Sequence, residues 1–231
     1  MFGGDLAATP EATIRRAADA REELVAYLAH AVGERRVTPR NDLLTAMIHA
    51  EADGGHLTEG ELYSTAVLLL IAGNETTTNL IGNGLNALLK HPGQHARVWG
   101  DPVVLPQTIE EMLRFDSPVQ LTTRLAKSDL EIEGVKIPAG DWVFFVLGAA
   151  NRDPAQFPDP DRFDPDRANN KHVSFGAGPH FCLGAPLARL EALVVFRTLC
   201  QRFPKLRPCG EEPVYRSNFN LRGLKALPVR C

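Results

Sequence analysis

The segment FGAGPHFCLG, residues 175–184, places one cysteine between a glycine-rich turn and a long helical pattern. Glycines at 176, 178 and 184 allow backbone angles closed to other residues and let main-chain amides approach a bound group. Cys182 stands at the start of the predicted helix, where the helix macrodipole and free N–H groups favour an anion. The pattern therefore predicts a thiolate at Cys182.

Two other interpretations of this cysteine have to be weighed. An isolated cysteine after a glycine-rich turn is more often a buried structural residue than a ligand. A structural zinc site fits poorly, because His172, His180 and Cys182 lack the paired short spacings of such sites and leave the glycines unexplained.

Composition narrows the kind of protein and partner. The chain has 231 residues, 44% of them hydrophobic, and a formal net charge of −3 that is spread along the sequence. This predicts a globular domain that acts on a small molecule rather than on nucleic acid or a membrane. Its four cysteines form no C-x-x-C pair or disulfide framework, which favours the cytoplasm. We expect no signal peptide or membrane anchor, since the apolar run AVLLLIAG is too short.

The N-terminal part predicts three helices. Residues Pro10 to about Gly33 show helical spacing, with an apolar face made of Ile14, Ala17, Ala18, Leu24, Tyr27 and Leu28. A second helix is predicted from Leu43 to about Ala52, capped by Asn41 or Asp42. Thr58 and Glu61 have capping-box spacing, and no proline follows until Pro92, so we expect one central helix, about 50 Å long and buried on all sides.

The C-terminal part predicts shorter elements around the cysteine loop. A helix is expected from Pro106 to Phe115, a small antiparallel sheet between Val119 and Leu147, and an irregular tethered loop over 151–170. A long helix follows Cys182 directly, and a strand-like tail ends the chain. The predicted fold class is mainly α with small antiparallel β-sheets.

Two further motifs carry candidate chemistry. On the long helix, Ala72, Gly73 and Thr76 share a face and leave room for a flat cofactor, and Glu75 lies beside Thr76 as a possible proton donor. Taken alone, the same residues more often ease helix packing. In EEMLR, Glu111 and Arg114 lie three residues apart, a spacing usually found in a solvated surface ion pair.

Together these motifs resemble those of the cytochrome P-450 family. FGAGPHFCLG is similar to its cysteine loop, AGNETT to its oxygen-activating helix, EEMLR to its E-x-x-R motif and PDRF to a later element of the same network. The resemblance implies that Cys182 is the axial ligand of haem b (heme b, iron protoporphyrin IX) within a loop that includes Phe175 and Gly176. It also implies propionate contacts from His180 and Arg124.

The resemblance assigns roles to the remaining positions. Thr76 would steady dioxygen and Glu75 would feed protons. Glu111 and Arg114 would form a buried structural network whose partner from the following loop is Arg162, with Arg167 as the alternative. The substrate side would be bordered by five residues: Val119, Gln120, Leu121, Asn218 and Phe219.

The activity implied is monooxygenation of an apolar small molecule by dioxygen, with electrons from NAD(P)H by way of a ferredoxin. The resemblance extends over essentially the whole chain, 1–231, but matches only the C-terminal, haem-binding half of a usual family member. We therefore expect a fold truncated on the N-terminal side, with apolar surface left uncovered. The alternative is a non-catalytic module that binds haem or associates with another chain.

Overall fold

The computed structural model describes residues 10–52 and 55–231, which form helices joined to small two-stranded sheets. The helices are α1 Pro10–Val37, α2 Leu43–His49, α3 Glu59–Lys90, α4 Pro92–Gly100, α5 Leu105–Phe115, α6 Leu147–Ala150 and α7 Ala185–Arg202. The strands are β1 Glu51–Ala52, β2 Gly55–His56, β3 Thr122–Leu125, β4 Leu130–Ile132, β5 Val135–Ile137, β6 Trp142–Phe145, β7 Arg207–Pro208 and β8 Val229–Arg230.

Every strand of the described chain pairs with one neighbour in antiparallel fashion, β1 with β2, β3 with β6, β4 with β5 and β7 with β8. The predicted fold class is confirmed. The sequence pattern predicted neither helix α4 nor the single turn of α6, because both are short and lack a clear apolar period. None of the helices in the described ranges is long and apolar enough to cross a membrane.

Contacts divide the chain into two compact units, with the division between Glu75 and Thr76 inside α3. In the N-terminal unit, Asp42 caps α2 by accepting a hydrogen bond from Thr45 N at 2.9 Å, which resolves the choice between Asn41 and Asp42. Arg35 of α1 donates to Asp42 at 3.0 Å and so ties the two helices together.

The predicted apolar face of α1 is wrong over most of its length. Ile14 and Tyr27 are 58% and 67% exposed, whereas Leu28 and Val32 are buried. Helix α1 contacts α2, and its fully buried side chains lie in its C-terminal half. Helical spacing located the helix, but it did not identify the buried surface.

Helix α3 begins as predicted and is buried over only part of its length. Thr58 and Glu61 form the reciprocal capping box, with Thr58 N donating to Glu61 at 2.9 Å and Glu61 N donating to Thr58 at 3.3 Å. Leu80 and Leu88 are buried in the C-terminal unit. Leu68 and Leu70 of the earlier part are more than half exposed, so the prediction of burial on all sides is wrong there.

The core of the C-terminal unit lies between α3, α4, α5 and α7. Its buried apolar side chains are Leu80, Leu85, Ala87, Leu88, Val98, Leu105, Ile109, Met112, Leu113, Phe163, Ala192, Phe196, Cys200 and Leu206. Residues 151–170 run over this core as an irregular loop, with Phe157 and Phe163 buried, as the sequence predicts. This core includes the middle and the C-terminal part of α7, the helix that follows the cysteine loop.

Candidate functional site

The cysteine loop folds back on itself through backbone hydrogen bonds. Cys182 N donates to Phe175 O at 2.9 Å, and Phe181 N donates to Gly178 O at 3.0 Å across a single 3-10 turn, Gly178–His180. Gly176 and Gly178 have φ of +72° and +68°, a left-handed backbone that strains other residues. The two glycines therefore allow the tight turn that brings Cys182 next to Phe175.

The sulfur of Cys182 lies at the start of α7. The helix begins at Ala185, and Ala185 N donates to Cys182 O at 3.3 Å. A methyl group at Gly184 would lie 3.9 Å from the Cys182 sulfur, so the sulfur lies close to the backbone of that residue. The sulfur therefore lies next to the partial positive charge of the helix N-terminus.

Exposed apolar side chains continue from the cysteine along α7. Leu187, Leu190 and Val194 recur on one face of α7, Leu183 lies just before the helix, and each of the four is more than half exposed. We call these four residues the α7 stripe. Phe181, just before the cysteine, is also half exposed. The site therefore combines one sulfur donor with a large apolar surface.

This donor set fits a macrocyclic metal complex. In residues 10–52 and 55–231, no group of three or more His, Cys, Asp and Glu side chains could hold a metal ion. A metal on Cys182 would need its remaining ligands from another source. A flat porphyrin supplies four nitrogens of its own and an apolar face, so haem matches both the single thiolate and its surroundings.

The two residues expected to contact propionates lie at the protein surface. His180 is exposed at the end of the 3-10 turn, two residues before Cys182. Arg124 is exposed on β3, where its guanidinium donates to Thr122 Oγ1 at 3.0 Å and to Thr123 O at 2.8 Å. Both side chains are accessible to an anionic ligand, and their propionate role stays a prediction.

The predicted oxygen-side residues lie on consecutive turns of α3. Ala72 and Gly73 are exposed, and a methyl group at Gly73 would meet no atom within 4 Å. Glu75 and Thr76 are half-buried. Open space beside Gly73 agrees with room for a flat group next to the helix, and the roles of these four residues stay predictions.

The Glu111–Arg114 pair is fully buried. Two parallel hydrogen bonds of 2.8 Å join the guanidinium to the carboxylate, and both side chains have zero exposure. The guanidinium also donates to the carbonyl oxygens of Asn151, Pro160 and Arg162. The pair is therefore a buried connection from α5 to the 151–170 loop.

The second guanidinium in this network comes from Arg167, not from Arg162. Arg167 Nε lies 3.5 Å from Glu111 Oε1, and its side chain is 7% exposed. The Arg162 side chain is 64% exposed and pairs with Asp164, so only the Arg162 carbonyl oxygen joins the network. The expected Arg162 contact is wrong at the side chain, because the loop turns that side chain outward.

A second charged cluster, which the sequence did not reveal, joins α5 to α7 beside the cysteine loop. Arg189 donates to both oxygens of Glu110 at 2.6 and 2.8 Å, and His172 Nε2 lies 3.1 Å from Glu110 Oε2. The Arg189 guanidinium lies 4.6 Å from the centre of the Phe175 ring. Burial alone would raise the pKa of Glu110, but the hydrogen bonds from Arg189 and His172 and the charge of Arg189 lower it to about 2.

Comparisons with known proteins agree with these motifs. The sequence model of the family Cytochrome P-450 matches residues 1–99 and 103–225. The chain is 48% identical to cytochrome P-450 107B1 of Saccharopolyspora erythraea. The match covers 92% of this chain and 53% of that protein. It is 47% identical to 6-deoxyerythronolide B hydroxylase of the same organism, over 96% of this chain and 55% of that protein.

The structural comparison gives the same result. The crystal structure of CYP109E1 from Bacillus megaterium in complex with testosterone matches with a TM-score of 0.91 and 39% identity. The match covers 95% of this chain and 61% of the other. The chain thus spans about half the length of the curated relatives that it matches.

Proposed function

The chain belongs to the cytochrome P-450 family, and from this membership we propose that residues 1–231 are the C-terminal, haem-binding portion of a haem-thiolate monooxygenase. Haem b is the cofactor of this family. The observation that carries the proposal is the position of Cys182, where the cysteine loop presents a partly exposed sulfur at the start of α7 beside the α7 stripe.

We assign the holding of the cofactor to residues around this loop. The Cys182 thiolate would be the axial ligand, and Phe175 and Gly176 shape the turn that presents it. His180 and Arg124 would donate hydrogen bonds to the propionates, because both are exposed cations or potential cations. Bound haem with a thiolate ligand supplies dioxygen activation and O–O cleavage.

The oxygen-side role falls to the 72–76 segment of α3. Small residues at Ala72 and Gly73 leave room beside the helix. The Thr76 Oγ1 would hold a proton in a hydrogen bond. The Glu75 carboxylate would take up a proton from solvent and pass it to Thr76. Both side chains are half-buried, so solvent can still reach the segment.

We propose an apolar small molecule as the substrate. One relative is a hydroxylase of 6-deoxyerythronolide B, one structural neighbour was crystallised with testosterone, and the exposed α7 stripe beside Cys182 is apolar. Electrons would come from NAD(P)H through a ferredoxin-type donor. Four free cysteines support a reducing, cytoplasmic location.

A second candidate function is a haem-binding or association module without catalysis. It is favoured by the exposed α7 stripe, which leaves apolar surface uncovered. A haem-binding module would share the Cys182 ligand with the enzyme but would not activate dioxygen, whereas an association module would need no haem.

Haem reconstitution tests both candidates. The purified chain is mixed with haem, reduced and exposed to carbon monoxide, and the Soret band is recorded. We expect a strongly red-shifted thiolate band that disappears in Cys182→Ser and persists in the matched control Cys231→Ser, which changes an exposed cysteine. No haem uptake by the unchanged chain would contradict the monooxygenase and the haem-binding module, and it would leave the association module.

The Thr76→Ala variant separates catalysis from simple haem binding. We expect the thiolate band to remain while reducing equivalents are diverted from product into peroxide, because proton delivery is lost. Thr78→Ala, a neighbouring exposed threonine, is the matched control. Equal product yield from Thr76→Ala and the unchanged chain would remove Thr76 from the oxygen-side assignment.

A further inference from the structure

A carboxylate just after α5 joins two distant parts of the chain. Asp116 follows the last residue of α5, and its side chain is only 12% exposed. Its Oδ1 accepts a hydrogen bond from Arg222 Nε at 2.6 Å, and its Oδ2 accepts one from Tyr215 OH at 2.7 Å. One carboxylate therefore holds two residues from the C-terminal tail.

Those two residues belong to the opposite arms of a hairpin. Lys225 N donates to Val214 O at 2.8 Å, Arg216 N donates to Gly223 O at 2.9 Å, and a bridge pairs Tyr215 with Leu224. We call residues 214–225 the tail hairpin. Because Tyr215 is on one arm and Arg222 on the other, Asp116 fixes both arms at once.

The tip of the tail hairpin is an ordered turn with an exposed aromatic ring. Asn218 Oδ1 accepts from Asn220 N at 2.9 Å and from Leu221 N at 3.1 Å. Phe219, between these contacts, is 73% exposed. Hydrogen bonds therefore hold the turn, whereas its aromatic side chain is available to a ligand.

The same tip is fastened to the segment that follows Asp116. Arg222 N donates to Pro118 O at 2.8 Å, Gln120 N donates to Asn220 O at 2.8 Å, and a bridge pairs Val119 with Leu221. The 118–120 segment and the tip are thus joined through their backbones. Both were expected to border the substrate side.

Helix α3 holds the hairpin from a third direction. The buried Asn83 side chain donates through Nδ2 to Arg222 O at 2.9 Å. A methyl group at Gly223 would lie 1.9 Å from Asn79 Oδ1, so glycine is required for the close approach of the hairpin to α3. These contacts fix the backbone, and Asp116 supplies the only carboxylate among the described contacts of Arg222 and Tyr215.

The Tyr215 hydroxyl stays protonated at neutral pH. Burial and the hydrogen bond to Asp116 raise the pKa of Tyr215 to about 12, so the phenol remains a donor. The Arg222 guanidinium also lies 3.7 Å from the centre of the Tyr215 ring, which adds a cation–π contact. The cluster therefore contributes more to stability than an exposed ion pair does.

We propose that Asp116 is a positioning residue that sets the tail hairpin, and with it Phe219, at the ligand-binding side of the site. The inference rests on the proposed function, since it takes the hairpin tip to border the substrate. Loss of the Asp116 carboxylate then weakens the binding of ligands that are large enough to reach the tip. The binding of small ligands to the iron is unaffected.

The test uses the haem-loaded full chain and two iron-binding probes that differ in size, imidazole and 4-phenylimidazole. For Asp116→Asn we expect the Kd of 4-phenylimidazole to rise about tenfold, while that of imidazole changes by less than about twofold. Gly223→Ala, which displaces the hairpin from α3, should give the same split. Asp166→Asn, which removes an exposed carboxylate paired with Arg97, should change neither Kd.

Two results would overturn the assignment. An equal loss for both probes would mean that Asp116 merely supports the fold, and no loss for either would mean that the hairpin does not reach the ligand. If the unchanged chain takes up no haem, the proposed function fails. Hydrogen exchange of the apo chain then tests whether Asp116 positions the tail hairpin. The amides of Arg216, Arg222 and Lys225 should then exchange faster in Asp116→Asn while that of Ala188 is unchanged, and uniform or absent acceleration contradicts the proposal.

Discussion

Arg162 and Arg167 lie five residues apart in the same loop but contribute to stability in different ways. Arg167 donates to the Pro158, Asp159 and Arg162 carbonyl oxygens and faces Glu111, whereas the Arg162 side chain is mostly in solvent. We expect Arg167→Ala to lower the free energy of unfolding by about 2 kcal/mol. Arg162→Ala is the control and should cost no more than about 0.5 kcal/mol. Urea unfolding measures both, and equal losses would contradict the assignment of Arg167 to the network.

Glu111 offers a sharper test of the buried pair. Neutralising it leaves the Arg114 guanidinium buried without its counter-charge, so Glu111→Gln should lower the free energy of unfolding by about 3–5 kcal/mol. Replacing both residues, in Glu111→Gln with Arg114→Met, should cost less than the sum of the single changes, because the Arg114 guanidinium is no longer left buried without its carboxylate. Additive losses in chemical denaturation would show that the two side chains do not act as a unit.

Helices α5 and α7 are joined through Glu110 and Arg189, and this contact should make stability depend on acid pH. The pKa of Glu110 is lowered from 4.5 to about 2, so its contribution is complete above pH 4.5 and is lost as the pH falls toward 2. Allowing for the partial exposure of both side chains, the contribution is about 2 kcal/mol. Glu110→Gln should be less stable than the unchanged chain at pH 7, and the difference should vanish near pH 2.

Thermal unfolding of the two proteins between pH 7 and 2 measures that difference, and other carboxylates cancel because both proteins contain them. Glu131→Gln, on the exposed strand β4, is the matched control and should show no difference at any pH. A difference between Glu110→Gln and the unchanged chain that stays constant down to pH 2 would mean that Arg189 does not stabilise the ionised carboxylate.

The elements differ in how well local sequence predicted them. The start of α3, the extent of α5 and the start of α7 were predictable, since a capping box, prolines and the glycine loop act within a few residues. The buried face of α1 was not, because burial depends on which surfaces meet in three dimensions. Glu110 and Arg189 are 79 residues apart in the sequence, so no spacing signal marked their contact.

In the candidate site, too, local sequence predicted some features, and three-dimensional packing set the others. The motif identified the cysteine loop and the Glu111–Arg114 pair, and it pointed to the loop that supplies their partner. It did not distinguish Arg162 from Arg167, because the direction in which each side chain leaves an irregular loop is set by packing. The link from Asp116 to the tail hairpin was missed for the same reason, since 99 and 106 residues separate its partners from it in the sequence.

The whole chain combines a well-packed core with an apolar surface that continues from the candidate ligand. The α7 stripe is a contiguous row of exposed side chains, and monomeric proteins rarely leave such a row open to water. An isolated apolar residue such as Val103, which is 80% exposed on the 3-10 turn before α5, is ordinary by comparison. The stripe is therefore a surface that haem or further polypeptide would be expected to bury.

A hydrophobic dye tests this expectation on the apo chain. We expect the paired substitution Leu187→Gln with Leu190→Gln to reduce fluorescence of bound anilinonaphthalene sulfonate by about half, and Val103→Gln to leave it nearly unchanged. Because the stripe begins beside Cys182, haem should displace the dye from the unchanged chain and from Cys231→Ser, and do so less well in Cys182→Ser. Dye binding that is insensitive to the paired substitution would mean that the stripe is covered in solution, most simply by a second copy of the chain, and the protein's size by light scattering would then be larger than that of a monomer.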